Sequence, residues 1–382
     1  MEHDLESEQM VLDAVDKFLI KIKPSVRQLE ADDEYPEEIV EQMKEMGLFG
    51  AVIDQEYGGL GLSVSTYAKI VERIACVWMS LTGVFNSHLI MAMSVQRFGT
   101  EEQKRKWLPK FASGEVRGAL ALTEPNCGTD LQAVKTTAEL KNGEYVINGA
   151  KTWITNSLHG SCFALLVKTD PSANPPHKGM SLFIAPKGEG FVMGNKLKKL
   201  GYKGIDTAEF FLEDYHLPKE NLIGLEEGHG LQHALGALAL GRINVASRGI
   251  GVASAALNDS IEYSQQRKTF GKPICQHQAI QFYLADMATR VEAARLLVQS
   301  AATAFDKGER CDMEAGMAKL YATEAAMSNS AEALRIHGAY GYSTEFNVER
   351  YYRDAPLLAI GEGTNELQRI IIAKQLVEQN PI

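Results

Sequence analysis

The spacing of the apolar residues changes twice along the chain, and this limits the fold more than any other feature. In residues 1–118, "QMVLDAVDKFLIKI" and "EEIVEQMKEMGL" place apolar side chains three and four residues apart, the repeat of an amphipathic helix. "TEEQKRKWLPKFASGE" opens on a threonine suited to cap a helix and ends near Pro and Gly. From 119 to 226 the runs are short, branched or aromatic: "EYVINGAKTWIT", "FALLVKT", "MSLFIAPK" and "AEFFLEDYHL", punctuated by Gly, Pro and Asn, read as strands. After "GLEEGHG" the helical period returns, and Ile280, Leu284, Met287, Val291, Ala294 and Val298 make the seam of a bundle. The expected division is 1–118, 119–226 and 227–382. This is an α+β chain with a β subdomain set between two helical segments.

At 382 residues the chain exceeds a single core, which agrees with that division. A net charge of -10 without a basic run gives nucleic acid or an anionic membrane nothing to bind. Five scattered cysteines without CxxC spacing indicate neither a disulfide framework nor a zinc site, and a reducing compartment is expected. The nine histidines show no metal-ligand spacing, so no metal is expected. The acidic start "MEHDLESEQM" resembles neither a secretory signal nor an Arg-rich transit peptide, and no apolar run is expected to reach the roughly 20 residues of a membrane span. The expected location is the cytoplasm, or the mitochondrial matrix for a mature organellar form, without membrane insertion. "GIGVAS" at 249–254 follows helical sequence and not a strand, so its glycines are read as close helix packing rather than a dinucleotide loop.

In "AIGEGTNELQR", residues 359–369, one carboxylate stands between two glycines. Thr364 is the expected N-cap of the helix "NELQRIIIAKQLVEQ", which puts Glu362 just outside a helix start, where the local dipole favours an anion. The flanking glycines allow backbone and ligand to approach closely. Taken alone, this is also a common capping arrangement.

The motifs "ALALTEPNCGTD" (119–130), "KTWITN" (151–156), "QRKTFGKPICQHQ" (266–278) and "RIHGAYGYS" (335–343) stand with it in one order along nearly the whole chain. Together these resemble the acyl-CoA dehydrogenase family. The resemblance implies an N-terminal helical bundle, a β-barrel-like middle and a C-terminal four-helix bundle. It also implies FAD as cofactor and an acyl-CoA substrate, oxidised to the trans-2-enoyl thioester as its α-proton goes to a base and its β-hydride to the flavin. Glu362 matches the base, with its N–H facing the thioester oxygen. A carboxylate with an ordinary pKa of about 4.3 needs desolvation to serve there.

Leu120, Ala121, Leu122, Thr123 and Thr129 match positions facing FAD or substrate. Trp153, Ile154 and Thr155 match those beside the isoalloxazine. Arg267, Thr269, Phe270 and Gln278, with Arg335, Gly338 and Ala339, match FAD contacts that often cross a subunit boundary, which implies a homotetramer. Thr364 and Glu366 complete the cofactor set, while Arg242, Gly361 and Gly363 join Thr129 and Glu362 on the substrate side. An electron-transfer flavoprotein is the implied acceptor.

The chain also departs from the family pattern. Arg335 stands where Gln is frequent, Ala339 where a second Gly is, and Ala239 where a carboxylate often precedes the CoA arginine. Gly241 occupies the place where some relatives carry the base, which leaves Glu362 unrivalled. "WMSLTGVFNSHLIMAM" lacks the first-bundle arginine of glutaryl-type members, which argues against a dicarboxylic substrate. Asn86, Ser87 and His88 either add polarity near the acyl end or form a polar turn between helices. Gly361, a tyrosine in straight-chain relatives, points to a short, branched or cyclic acyl group. A flavin oxidase or monooxygenase on the same scaffold, and a non-catalytic flavin- or acyl-CoA-binding module, remain as alternatives.

Overall fold

Segments with the three–four period form helices, and the branched and aromatic runs between them form a sheet. The computed structural model describes residues 2–381, with side chains from Glu6 onward except Ser7. The first segment holds α1 (Glu2–Ala31), α2 (Glu37–Glu45), α3 (Val64–Phe98) and α4 (Glu101–Ala112). Thr100 caps α4 in a reciprocal capping box with Gln103, as its position before an acidic first turn predicts.

The middle segment contributes β1 (Gly118–Ala121), β2 (Thr137–Lys141), β3 (Glu144–Thr155), β4 (Cys162–Lys168), β5 (Met180–Pro186), β6 (Phe191–Lys196) and β7 (Thr207–Pro218). Their order in the sheet is β1-β4-β2-β3-β7-β6, with β5 paired to β4. One face carries its own core around Ile147, Phe163, Phe183, Phe210 and Tyr215, while alternate residues of β4 and β5, such as Ala164, Leu166 and Leu182, join the core shared with the helices. The two-residue side-chain period of strands produces this split. Between Lys151 and Ile154 the β3–β7 register slips. Trp153 lies in that slip with a left-handed φ of 59°, so the irregularity re-aims a large ring.

The last segment contains α5 (Gly230–Gln266), a short hairpin of β8 (Lys268–Thr269) and β9 (Lys272–Pro273), and then α6 (Gln278–Asp306), α7 (Asp312–His337), α8 (Val348–Ile360) and α9 (Asn365–Gln379). Helices α5, α6 and α7 pack on one another, α8 packs across α5 and α7, and α9 packs on α7. Met287, Val291, Ala294 and Val298 of the expected seam are buried; Ile280 and Leu284 are partly so.

One expectation is corrected. Helix α3 is long and apolar enough, by length and composition, to cross a membrane, although most of that stretch is buried inside the protein. Its apolarity is accounted for by its place against α1, α5, α6 and the sheet. Close approach also explains "GIGVAS". A Cβ on Gly249 would lie 2.7 Å from the Ala322 carbonyl oxygen, and one on Gly251 would lie 2.6 Å from both Ala75 Cβ and the Glu72 carbonyl oxygen. Gly251→Val should therefore cost about 1–3 kcal/mol by overpacking, read as a lowered urea midpoint at unchanged slope.

Candidate functional site

The loop joining α8 to α9 carries Glu362. Gly361 has an ordinary extended backbone (φ -71°, ψ 155°), so no conformational need requires glycine there. Glu362 itself is left-handed at φ 55°, and Gly363 follows at φ 88°. A left-handed non-glycine costs energy and persists only where its surroundings hold it. Thr364 caps α9 by accepting from the Leu367 N–H, as expected.

Lys319 of α7 supplies much of the hold. Its buried ammonium donates to the Ala359 carbonyl at 3.2 Å, the Gly363 carbonyl at 2.9 Å and Asn365 Oδ1 at 3.0 Å. Burial pulls its pKa down to about 8, against the pull of Glu362 and Glu366. Gln368 donates to the same Gly363 carbonyl, and Thr323 to Asn365.

The Glu362 carboxylate faces inward. Asn86 Nδ2 donates to its Oε1 at 2.7 Å, and Oε2 is buried without a partner. Oε2 lies so close to Gly241 that a Cβ there would stand 2.1 Å away. Position 241 thus has room only for glycine while Glu362 is in place. Burial raises the Glu362 pKa above the ordinary carboxylate range, opposed by Arg248, the Asn86 hydrogen bond, Lys319 and Arg242. The Glu362 amide forms no hydrogen bond to a protein acceptor among the described residues.

Behind Asn86 runs a buried chain with one donor direction. Arg248 Nε donates to Asn244 Oδ1 at 2.6 Å, Asn244 Nδ2 to the Tyr67 hydroxyl at 2.7 Å, and Tyr67 to Asn86 Oδ1 at 3.4 Å. Every donor points from the guanidinium toward the carboxylate, so the bonds polarise one another. Asn86 and His88 belong to the interior of α3, which corrects the polar-turn alternative. His88 is not at the carboxylate; it is buried and bonds the Phe111 carbonyl, with its pKa lowered to about 4 by burial.

Beside the carboxylate lies Tyr202, from the loop between β6 and β7. Its hydroxyl faces Arg248 and Thr155, and a Cβ on Gly83 would overlap it at 1.5 Å. Thr155 pairs in register with Thr207, whose buried hydroxyl has no partner. Ile154 is buried, while Trp153 is 59% exposed. The Thr152 amide donates to the Thr123 carbonyl, which joins this strand to the end of β1, where Ala121 and Leu122 are buried and Leu120 is partly so. Lys151, fully buried, ties Glu124 at 2.7 Å and the Leu122 carbonyl at 3.0 Å. Thr129 is exposed on the following loop.

Two further groups stand apart. Arg242 is buried, pairs with Asp312 Oδ1 at 3.3 Å, and keeps an unpartnered Nε. Arg267 ends α5, Thr269 and Phe270 belong to the β8–β9 hairpin and Gln278 starts α6; Arg335 lies in the last turn of α7, with Gly338 and Ala339 in the short turn that follows it. Thr269 meets His277 at 3.0 Å, Arg335 lies over the Tyr283 ring at 5.6 Å, and Gly338 is left-handed at φ 61° with open space where a Cβ would be. Phe270 is 96% exposed. Glu366 is exposed in the first turn of α9, its pKa lowered by its own backbone N–H and by Thr364.

Sequence reading missed Lys319, Tyr202, Gly83, Asn244 and Arg248. Each is an ordinary residue within its own segment, and only packing brings it to Glu362.

A flavin fits this arrangement. An indole is held outward by a left-handed backbone, two neighbouring threonines include one unmet buried hydroxyl, and the β1 end lies beside them. No metal-binding cluster of His, Cys, Asp or Glu exists among the described residues.

Comparison with known proteins agrees. Residues 5–115, 119–215 and 228–377 match the acyl-CoA dehydrogenase N-terminal, middle and C-terminal domain families. The chain is 40% identical to an acyl-CoA dehydrogenase of Bacillus subtilis (strain 168), over 98% of this chain and 99% of that one. It is 39% identical to a 3-(aryl)acrylate reductase of Clostridium sporogenes, over 94% and 95%. A chain solved in work on the electron-transferring flavoprotein of Acidaminococcus fermentans superposes with a TM-score of 0.94 at 39% identity, covering 97% and 98%.

Lys319→Met should destabilise the Glu362 loop by about 1–3 kcal/mol, the cost of carbonyls left unmet. The expected reading is faster amide exchange at residues 361–365, with much smaller changes in β4 and β5.

Proposed function

Because the chain belongs to the acyl-CoA dehydrogenase family of flavoprotein oxidoreductases, whose reaction is FAD-dependent dehydrogenation of an acyl-CoA, we propose that Glu362 is the base that takes the α-proton of the thioester. The observation that carries this is the buried, unpartnered Oε2 on a strained loop. A carboxylate whose proton affinity is raised by burial is matched better to a weak carbon acid than a solvated one. Its free backbone N–H is suited to hold the thioester oxygen as charge develops there, a contact often worth a few kcal/mol. Arg242, with an unmet Nε, is suited to an acceptor on the CoA portion.

FAD, when bound, supplies the hydride acceptor. Leu120 to Thr123, Thr129 and Trp153 to Thr155 would hold its ring system, with Thr364 and Glu366 nearby. The exposed group around Arg267, Phe270, Gln278 and Arg335 would hold its distal part in a neighbouring copy, within a homotetramer. An electron-transfer flavoprotein is the proposed acceptor, in line with the likeness to the Acidaminococcus chain.

The likeness to a reductase supports a second reading, the same chemistry in reverse. Protonated Glu362 would then deliver the proton to the α-carbon, for which a raised pKa is equally suitable. The potential of the bound flavin against the acyl/enoyl couple decides the direction.

Anaerobic addition of an acyl-CoA panel to the yellow protein should bleach the flavin with at least one member; no bleaching with any would leave a binding module. Glu362→Gln should keep FAD while slowing bleaching by at least about 10²–10⁴-fold; a near-normal rate would reassign the base.

The pH dependence has two signs. Ionised Glu362 is needed, so oxidation should fall as pH drops through a value above the ordinary carboxylate range. Stability runs the other way, because a carboxyl whose folded pKa exceeds its unfolded one weakens the fold once ionised. Glu362→Gln should accordingly melt no lower than wild type at pH 7.

Gly361 needs no special backbone, so its missing side chain serves space, and the proposed acyl group is short, branched or cyclic. A Cβ there meets only the Leu357 carbonyl oxygen at 3.3 Å and Leu357 Cδ1 at 3.9 Å. Gly361→Tyr should fold and should depress kcat/KM on a branched acyl-CoA more than on butyryl-CoA. Equal losses would refute the shape argument.

A further inference from the structure

Three arginines enclosed by the fold can be compared by their partners. Arg242 has Asp312, while Arg350, like Arg248 without an ion pair among the described residues, donates to the Val77 carbonyl at 2.8 Å. Arg248 is only 4% exposed, yet it makes no ion pair among the described residues, and its Nη2 is buried without any hydrogen-bond partner. Its Nε is used by Asn244, and its guanidinium carbon lies 5.9 Å from the centre of the Tyr202 ring. A buried guanidinium without a counter-ion is costly, and a fold keeps one where something else supplies the missing charge.

The vacant donor lies in the surroundings of Glu362. Arg248 is the largest of the charges acting on that carboxyl, Tyr202 stands beside both groups, and Asn86 links them through the buried chain. The two do not pair with each other, so the fold holds one unmet donor and one unmet acceptor at the two ends of one buried hydrogen-bond chain. The inference rests on the reading that Glu362 abstracts the α-proton, which seats the acyl group beside that carboxylate.

We propose that Arg248 is a specificity residue whose Nη2 takes a carboxylate at the far end of the acyl group, so that the short acyl group proposed above carries a terminal carboxylate in addition to any branch or ring, contrary to the expectation from the first bundle alone. An arginine of α5 would thus serve where the first-bundle stretch "WMSLTGVFNSHLIMAM" has none. A guanidinium and a carboxylate match as planar, charge-assisted partners. Binding has a second consequence: an anion on Arg248 cancels the strongest cationic influence on Glu362, and the base gains proton affinity when the right substrate is seated.

The test uses the FAD-loaded Glu362→Gln protein, in which turnover is stopped and binding can be read by calorimetry and by the flavin spectrum. Dissociation constants are measured for succinyl-, glutaryl- and adipyl-CoA, for butyryl-, pentanoyl- and hexanoyl-CoA, and for 5-hydroxypentanoyl-CoA. At least one carboxylated ligand should bind about 10–100-fold more tightly than its alkyl counterpart, the range of one charge-assisted contact. Arg248→Gln in the same background should abolish that ratio, and Arg248→Lys should restore part of it. Equal affinities, a ratio that survives Arg248→Gln, or a preference for the hydroxylated ligand would each overturn the proposal. The comparison of ligands on one protein stands even if an Arg248 variant fails to fold. Turnover persisting in Glu362→Gln would instead count against the base assignment, and the two failures are separate.

Discussion

A carboxylate held in a dry site, balanced by cations that do not touch it, is the constraint on which the rest of this structure depends. Burial disfavours the charged form of Glu362; Arg248, the Asn86 hydrogen bond, Lys319 and Arg242 favour it. Oε1 is fixed by Asn86 and Oε2 is left free. The balance requires that water be excluded and that each cation be held in place.

Holding the cations falls to three helices. Helix α7 brings Lys319 under the loop, α5 brings Arg242, Asn244 and Arg248, and α3 brings Tyr67 and Asn86. These helices pack closely because small residues let them: Gly249 against Ala322, Gly251 against Ala75, Gly241 against the carboxylate itself. The Tyr202 loop is tied to the same frame. Its backbone N–H donates to the buried Asp354 of α8 at 2.6 Å, the helix that leads directly into Glu362. Movement of α8 would therefore shift the base and the tyrosine together.

The exposed residues around the β8–β9 hairpin obey a different logic. Phe270 at 96% and Tyr342 at 92% exposure are large rings left in water by a single chain. In the proposed homotetramer they would be covered by a neighbour whose own cofactor they help to hold. In that arrangement the buried half of the site would come from one chain and this half from its neighbour.

Much of the architecture was legible in sequence because periodicity is a local property. The α6 stripe, the Thr100 and Thr364 caps and the β3 to β5 runs each announce themselves within a dozen residues. Glu362 was legible through its two glycines, though for reasons that differ: Gly363 stands in a left-handed backbone, and Gly361 leaves space. What sequence could not reveal is which distant residues share a volume. Lys319, Tyr202, Asn244 and Arg248 look like ordinary members of their segments, and the apolar α3 passes by composition for a membrane span. Their roles come from desolvation and from hydrogen bonds between residues separated by up to 276 positions, as for Asn86 and Glu362. Sequence by itself determined the elements, their order and the candidate base; tertiary structure decided the electrostatics of that base, because burial and charge proximity exist only after the chain has folded.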